Sequence, residues 1–323
     1  MSSEPMLDVA LDLPDRREGK VRVSFGLPDD QGGARRLFVT TDRLSAFDRI
    51  IAGVPYKGQV LNQLAAWWFA HTASVVPNHV LGVPDPNALV ARSTDPLPVE
   101  VIVRGAITGV TSTSLWQRYA AGARTIDGHR LPDGLAKNTL LSAPIITPTT
   151  KPPAGSNQHD EPLAPSEVVS RGLVAADRWE HVTAAALELF RTGQQVAAAA
   201  GLVLADTKYE FGVTADGELL LIDEVHTPDS SRFWVADTYD ARLAAGEEPE
   251  SLDKEVVRRA LADQGYRGDG DPPALAPDVV ADTSRRYVDA FERITATPFR
   301  PGRYPVQDRL DDVIAAADWM VHL

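Results

Sequence analysis

Cysteine is absent from this 323-residue chain. That excludes a disulfide framework, a cysteine-built zinc site and a thiol nucleophile. Positive charge is scarce, with 32 Lys and Arg against 45 Asp and Glu and a net charge of −13. Such a balance opposes nucleic-acid binding, while leaving room for a local basic pocket that takes a small phosphate. No uncharged apolar run approaches the ~18 residues of a membrane-crossing helix. Met1-Ser-Ser-Glu-Pro5 has neither the basic start nor the apolar stretch of a secretory leader. Neither Gly-x-x-x-x-Gly-Lys-Ser/Thr nor Gly-x-Gly-x-x-Gly occurs, which excludes a P-loop and a Rossmann fingerprint. The expectation is a cytoplasmic protein acting on small molecules, as a monomer or small homo-oligomer.

What is present is the composition of an ordinary globular protein, 44% hydrophobic and 24% charged. The length suffices for a substantial core in two lobes. Residues 21–27 and 35–40 alternate as antiparallel strands about a turn-rich loop at 28–33. Residues 58–70 carry Val60, Leu61, Leu64, Trp67 and Trp68 at helical spacing, which predicts a core-facing helix. A strand is expected over 97–103, with Val99, Val101 and Val103 on one face and Arg104-Gly105 at its end. A short helix is expected over 114–122. Residues 121–170 hold six prolines between Pro144 and Pro165 and few regular runs, which suggests a long functional loop. Further helices are predicted at 166–168, 179–200 (closed by Gly201), 253–263, 277–295 and 306–319. The fold class is α+β, with an N-terminal antiparallel β-sheet lobe over 1–103 and a larger lobe over 104–323.

The densest chemistry lies in Asp206-Thr-Lys-Tyr-Glu-Phe-Gly212 and Leu220-Leu-Ile-Asp-Glu224. Asp216-Gly217 between them is a strong two-residue hairpin signal. With those two residues as the loop, Glu210 lies opposite Asp223, Lys208 opposite Val225 and Asp206 opposite Thr227. Cross-strand partners stand roughly 5 Å apart at Cβ, and Asp206, Lys208, Glu210 and Asp223 share one face. Facing carboxylates repel unless a cation or a proton lies between them, so the pattern points to Mg2+ beside nucleotide phosphates. A solvated charged face gives the same alternation, and a three-residue loop reverses the parity. Spacing alone leaves both readings open.

Other candidates are scattered. Glu18-Gly19-Lys20-Val21-Arg22 places a glycine where backbone N–H groups approach a phosphate, or simply starts a strand. Thr41-Asp42-Arg43-Leu-Ser45-Ala-Phe-Asp48 reads as a capped turn. Arg104 and Arg232, the latter after Pro228-Asp-Ser-Ser231, are candidate phosphate clamps, since a planar guanidinium suits phosphate. Thr147, Thr149, Thr150, Lys151, His159, Asp160 and Glu161 make the 121–170 segment rich in ligand-binding groups. His226 reads as a packed or hydrogen-bonded strand residue.

Taken together, these segments resemble the phosphoribosylaminoimidazole-succinocarboxamide synthase (SAICAR synthetase) family of purine biosynthesis. The likeness runs from about residue 18 to 290. It is carried by Gly19-Lys-Val-Arg22, Thr41–Asp48, Lys57-Gly58, Pro98-Val-Glu-Val-Ile-Val-Arg104, Thr108-Gly109 and Thr147-Pro-Thr-Thr-Lys151. It continues in His159-Asp-Glu161, Asp206–Gly212 and Asp223-Glu-Val-His-Thr-Pro-Asp-Ser-Ser-Arg-Phe-Trp234. The resemblance implies ATP-driven amide formation between 5-amino-1-(5-phosphoribosyl)imidazole-4-carboxylate and L-aspartate, with ATP and Mg2+ in a cleft between two lobes.

By the same resemblance, Glu210 and Asp223 hold Mg2+, while Lys208 and Asp206 lie near the reacting carboxylate. Gly19 and Lys20 cover the ATP phosphates, and Glu100, Val101 and Ile102 form a hinge strand reading adenine. Arg104, Ser114 and Arg232 grip the ribose phosphate, with Thr111 or Ser112 as alternatives to Ser114. Ser45, Asp48, Lys151, His159 and Asp160 surround the substrates. The chain departs from the family pattern at Ala106, at Val110-Thr-Ser-Thr113 and at His226. These departures admit a paralogue that performs the same chemistry on a related azole nucleotide. A kinase would carry His-Arg-Asp and Asp-Phe-Gly, and neither occurs. An inactive nucleotide-binding protein would be told apart by measuring turnover together with binding.

Overall fold

The computed structural model describes residues 4–28, 34–47, 49–151, 160–268 and 270–316. The chain opens with β1 (Arg17–Glu18), β2 (Arg22–Leu27) and β3 (Arg35–Thr40), then forms the hairpin β4 (Arg43–Ala46) and β5 (Arg49–Gly53). Helix α1 (Lys57–His71) follows, and β6 (Val80–Asp85) and β7 (Ala88–Arg92) return to complete an antiparallel sheet in the order β1-β2-β3-β7-β6. A crossing segment with β8 (Asp95–Pro96) leads to β9 (Val99–Ala106). Next come α2 (Leu115–Ala120), the hairpin β10 (Thr125–Ile126) and β11 (His129–Arg130), then β12 (Leu140–Ile146), β13 (Thr149–Thr150), α3 (Pro165–Ser170) and α4 (Ala176–Ala199). Strands β14 (Leu202–Val213), β15 (Leu219–Ile222) and β16 (Ser231–Val235) complete a second sheet. Its spine is β12-β9-β14-β15, with β13 on β9 and with β8 and β16 on β14. Helices α5 (Ala236–Ala245), α6 (Glu255–Asp263), α7 (Pro277–Thr295) and α8 (Val306–Ala316) end the described chain.

Two apolar cores hold this α+β arrangement. The larger packs α1, α4 and α7 against the inner face of the second sheet, where Val99, Val101, Val103, Tyr209 and Phe211 alternate inward. The smaller lies under the first sheet, where Val23, Phe25, Leu37 and Val39 meet Val306 and Leu310 of α8. Residue 103 falls inside β9, so the strand expected to close the first lobe is built into the second sheet. Arg104-Gly105 does not end it, because Arg104 pairs with Asp206 of β14 in the ladder.

The hairpin differs from its expected register. Glu210 pairs with Ile222, Phe211 with Leu221 and Val213 with Leu219. The loop is three residues, 215–217: Gly217 N donates to Thr214 O at 2.9 Å, and Thr214 N donates to Glu218 O at 3.0 Å. Gly217 takes the left-handed conformation, φ +90°, that such a loop requires. Glu210 and Asp223 are therefore not cross-strand partners. The 121–170 segment is also more regular than its prolines suggest, with β10–β13 and α3 inside it.

Two departures from the family pattern are absorbed by packing. Ala106 is fully buried with Trp234 and Tyr239, whose stacked rings occupy the neighbouring space. His226, in the connection after β15 rather than in a strand, is fully buried, edge-on to Trp68 at 4.5 Å and hydrogen-bonded to the Tyr209 hydroxyl. A Cβ on Gly193 of α4 would stand 2.4 Å from the His226 ring and 2.8 Å from Leu204. Gly193→Ala improves helix propensity, but the ring is pinned and cannot yield. The substitution should lower the unfolding free energy by about 1–3 kcal/mol in a urea titration.

Candidate active site

Strand β14 builds the floor of the site by alternation. Thr207, Tyr209 and Phe211 face the core, so Asp206, Lys208 and Glu210 face the opposite way, alongside Glu100, Ile102 and Arg104 of β9. Asp223 joins them by another route. It lies just past β15 with φ +69°, and this left-handed turn aims its carboxylate at Lys208 despite the reversed parity. The Lys208 ammonium lies 3.3 Å from Glu100 Oε1 and 3.3 Å from Asp223 Oδ2, and it is bonded to Glu210. Lys151 reaches Glu210 from the connection after β13.

These groups line a cavity of about 730 Å3 that also includes Glu18, Gly19, Lys20, Arg22, Ser45, Asp160, Glu224, Asp229, Lys254 and Arg258. A second cavity of about 230 Å3 adjoins it, sharing Lys151, Glu210 and Asp223, and it is walled by Phe38, His79, Thr94, Pro96 and Ile222.

The turn at Gly19 closes with Gly19 N donating to Arg22 O at 2.8 Å. Arg43 latches this turn to β4, donating to Glu18 Oε1 at 2.5 Å and to Gly19 O at 3.0 Å. Arg22 then crosses to the hairpin, donating to Asp223 O at 2.8 Å and Asp223 Oδ1 at 2.5 Å, with Glu224 at 3.4 Å. Burial alone would raise the Asp223 carboxyl, but Arg22, Lys208 and Lys151 outweigh it and hold the group far below the usual carboxylate range. For Lys208, burial pulls its ionisation down, while Asp223, Glu100 and Glu224 pull harder the other way, so its ammonium is retained. Lys151 moves below its ordinary value, mainly by burial.

A divalent cation fits this donor set. Among the described residues no three acidic or imidazole groups stand close enough together to hold a metal alone. Mg2+, however, is commonly bound by one or two carboxylates plus substrate phosphates. Glu210 and Asp223 already converge on one positive point, the Lys208 ammonium.

Other expected residues need correction. The backbone of Glu100–Ile102 is not an open hinge: Val101 and Ile102 pair with Tyr209 and Lys208, Glu100 pairs with Thr149, and Ile102 O accepts from Thr147 N at 2.9 Å. Only the Glu100 side chain of the three lines a cavity, and Val101 is core. Asp206 does not line the larger cavity. It lies abreast of Arg104 and Arg232 in the ladder and binds both, Arg104 at 3.4 Å. Ser114 caps α2, accepting from Gln117 N at 3.4 Å. Asp48 and His159 lie outside the described residues.

The family model described as SAICAR synthetase matches residues 15–273. The chain belongs to the SAICAR synthetase family. A phosphoribosylaminoimidazole-succinocarboxamide synthase from Legionella pneumophila (strain Paris) is 44% identical over 311 residues, covering 94% of this chain and 96% of its own length. A chloroplastic phosphoribosylaminoimidazole-succinocarboxamide synthase from Vigna aconitifolia is 50% identical over 246 residues, 76% of this chain and 70% of its own. The solved SAICAR-synthase from Saccharomyces cerevisiae, complexed with SAICAR, superposes with a TM-score of 0.75 at 31% identity, covering 92% of this chain and 100% of that one.

Against this SAICAR synthetase frame, sequence reasoning left five cavity groups without roles: Arg22, Glu224, Asp229, Lys254 and Arg258. Arg22 and Asp229 lay within quoted segments, but nothing in their spacing marked them. Asp229 is held by Lys57 of α1, at 2.8 Å, and by the Tyr287 hydroxyl of α7, at 2.5 Å. Lys57 is wholly buried. Burial alone would raise the Asp229 carboxyl, yet Lys57 and Lys254 hold it down at about 2. Lys57→Met strands that charge and should cost about 3–5 kcal/mol in urea unfolding. A carboxyl held below its unfolded value stabilises fully above about pH 4 and loses that contribution as pH falls toward 2. The variant should therefore lose part of the acid limb of the stability profile.

Proposed function

We propose that this chain is an ATP-dependent ligase joining 5-amino-1-(5-phosphoribosyl)imidazole-4-carboxylate to L-aspartate, giving the succinocarboxamide, ADP and phosphate in purine biosynthesis. Family membership supports the reaction, and the observation that carries the chemistry is the gathering of Glu100, Glu210 and Asp223 on the Lys208 ammonium inside a two-part cavity. A carboxylate is a poor electrophile, so one of its oxygens must first attack the γ-phosphorus of ATP, releasing ADP. The amine nitrogen then attacks the activated carbonyl, phosphate leaves with the C–O bond, and the nitrogen sheds its proton. Phosphoryl transfer asks chiefly for alignment and charge neutralisation.

The residues divide accordingly. The smaller cavity, with Phe38, Pro96 and Ile222 as apolar walls, suits the base, and the crossing segment Ser93–Thr94 replaces β9 as the backbone beside it. The triphosphate runs from there past Lys151 under the Gly19–Lys20 turn. Mg2+ held by Glu210 and Asp223 would supply charge neutralisation on the phosphates. Lys208 holds those carboxylates in place and faces the reacting acid, and Ser45 and Asp160 border the same space. Arg104 and Arg232, oriented by Asp206, take the ribose phosphate, with the Ser114 cap of α2 nearby. Every cavity residue named comes from one chain, which suits a monomer or small homo-oligomer. Phosphorylated substrates that do not cross membranes suit a cytoplasmic setting, and among the described residues no helix is long and apolar enough to span one.

Phosphate release with ATP and Mg2+, varying the imidazole carboxylate and the amine separately, tests the assignment. Release should require both, and release that ignores either would remove the ligase reading. Glu210→Gln and Asp223→Asn should each cut turnover by roughly a hundredfold or more with the fold intact by circular dichroism; near-normal rates would end the metal assignment. Arg232→Ala should chiefly raise the KM for the imidazole nucleotide.

A further inference from the structure

Six cations line the larger cavity. Four have been used: Lys20 in the phosphate turn, Arg22 on Asp223, and Lys151 and Lys208 on Glu210. Lys254 and Arg258 remain. Lys254 immediately precedes α6 and Arg258 follows one helical turn on, so the two side chains meet on one face. Neither lines the smaller cavity, which touches the larger one through Lys151, Glu210 and Asp223. They therefore stand away from the base pocket, beside Ser45, Ala46 and Phe47.

Both cations are held ready for an anion. Leu44 and Ala46 of β4 pack with Val257 and Leu261 of α6 in a small core of their own, and Phe47 meets Tyr266 edge-on at 5.7 Å. This fixes α6 against the hairpin. Arg258 spends one nitrogen on Glu255 at 3.1 Å. The Lys254 ammonium makes no hydrogen bond or ion pair with any described residue, although Asp229, Arg258 and Glu224 are all within electrostatic reach. Glu255 also lies 3.8 Å from Arg232, so the pair adjoins the arginines given to the ribose phosphate without being among them.

We propose that Lys254 and Arg258 form the subsite for the amine donor, binding the carboxylates of an acidic α-amino acid, L-aspartate, so that its nitrogen faces the activated acid. This rests on the ligase reading above. A dicarboxylate entering a cavity that already holds a polyphosphate needs cations of its own, and a guanidinium fork beside an ammonium matches two carboxylates.

Steady-state phosphate release at saturating ATP, Mg2+ and imidazole nucleotide, with aspartate varied, tests the assignment on Lys254→Met, Lys254→Arg and Arg258→Met. Lys254→Met and Arg258→Met should each raise the KM for aspartate about tenfold or more, the effect of one lost charge-assisted contact. The KM values for ATP and the imidazole nucleotide should stay within about twofold, and Lys254→Arg should recover most of the aspartate affinity. The preference for L-aspartate over L-alanine should shrink in the Met variants. An unchanged aspartate KM in both, or a rise confined to the imidazole nucleotide, overturns the subsite while leaving the ligase reading standing. Wild-type release that does not depend on aspartate defeats the ligase reading itself. Thermal melting identifies a variant that has unfolded, in which case the other Met variant decides.

Discussion

One ammonium group, that of Lys208, allows three carboxylates to share the floor of a buried cleft. Glu100, Glu210 and Asp223 arrive from three different strands or strand ends, and without a positive charge among them each would raise the ionisation cost of the others. The second sheet exists around this requirement. β14 is paired along its length by β9, β15, β16 and β8, which fixes the direction of every side chain it carries. Arg22 completes the arrangement from the other sheet. By holding both the carbonyl and the carboxylate of Asp223, it joins the glycine turn to the hairpin, so the group covering a phosphate and the group holding its counterion cannot drift apart independently.

Much of this was legible in the chain. Alternation in β2, β3, β9 and β14 and the helical spacing of α1, α4 and α7 follow from residue periodicity, and the acids and lysines of the floor announce themselves by sharing the parity of one strand. The register did not follow. Asp216-Gly217 favours a two-residue loop, and the structure uses Ala215 as well, which reverses the parity of everything after it. Asp223 nevertheless reaches the site because its backbone turns left-handed, a conformation that no periodicity argument contains. The same limit explains Glu100–Ile102: an alternating apolar strand reads alike whether its edges are open or paired. Asp229 and Lys254 were invisible for a further reason. Their importance comes from partners about 60 to 170 residues distant or from a cavity wall, and a single charged residue in a polar stretch carries no local sign of either.

The departures from the family pattern take on a different weight once placed. Ala106 and His226 line neither cavity. Ala106 makes room for the stacked Trp234 and Tyr239, and His226 fills space between Trp68 and Tyr209 that Gly193 leaves open. These are exchanges of volume inside a core, where a gain at one position is matched by a loss at its neighbour. They bear on packing, and they give no ground for a different azole substrate.

Helix α8 has a bearing on how the molecule comes into being. Val306 and Leu310 complete the apolar layer beneath a sheet whose own strands are finished by residue 92. During synthesis that sheet emerges early, yet the side chains that seal it are among the last to leave the ribosome. The nascent protein must therefore carry an unsealed greasy surface through most of its translation, and the order in which the polypeptide is made runs against the order in which this half of it can become stable.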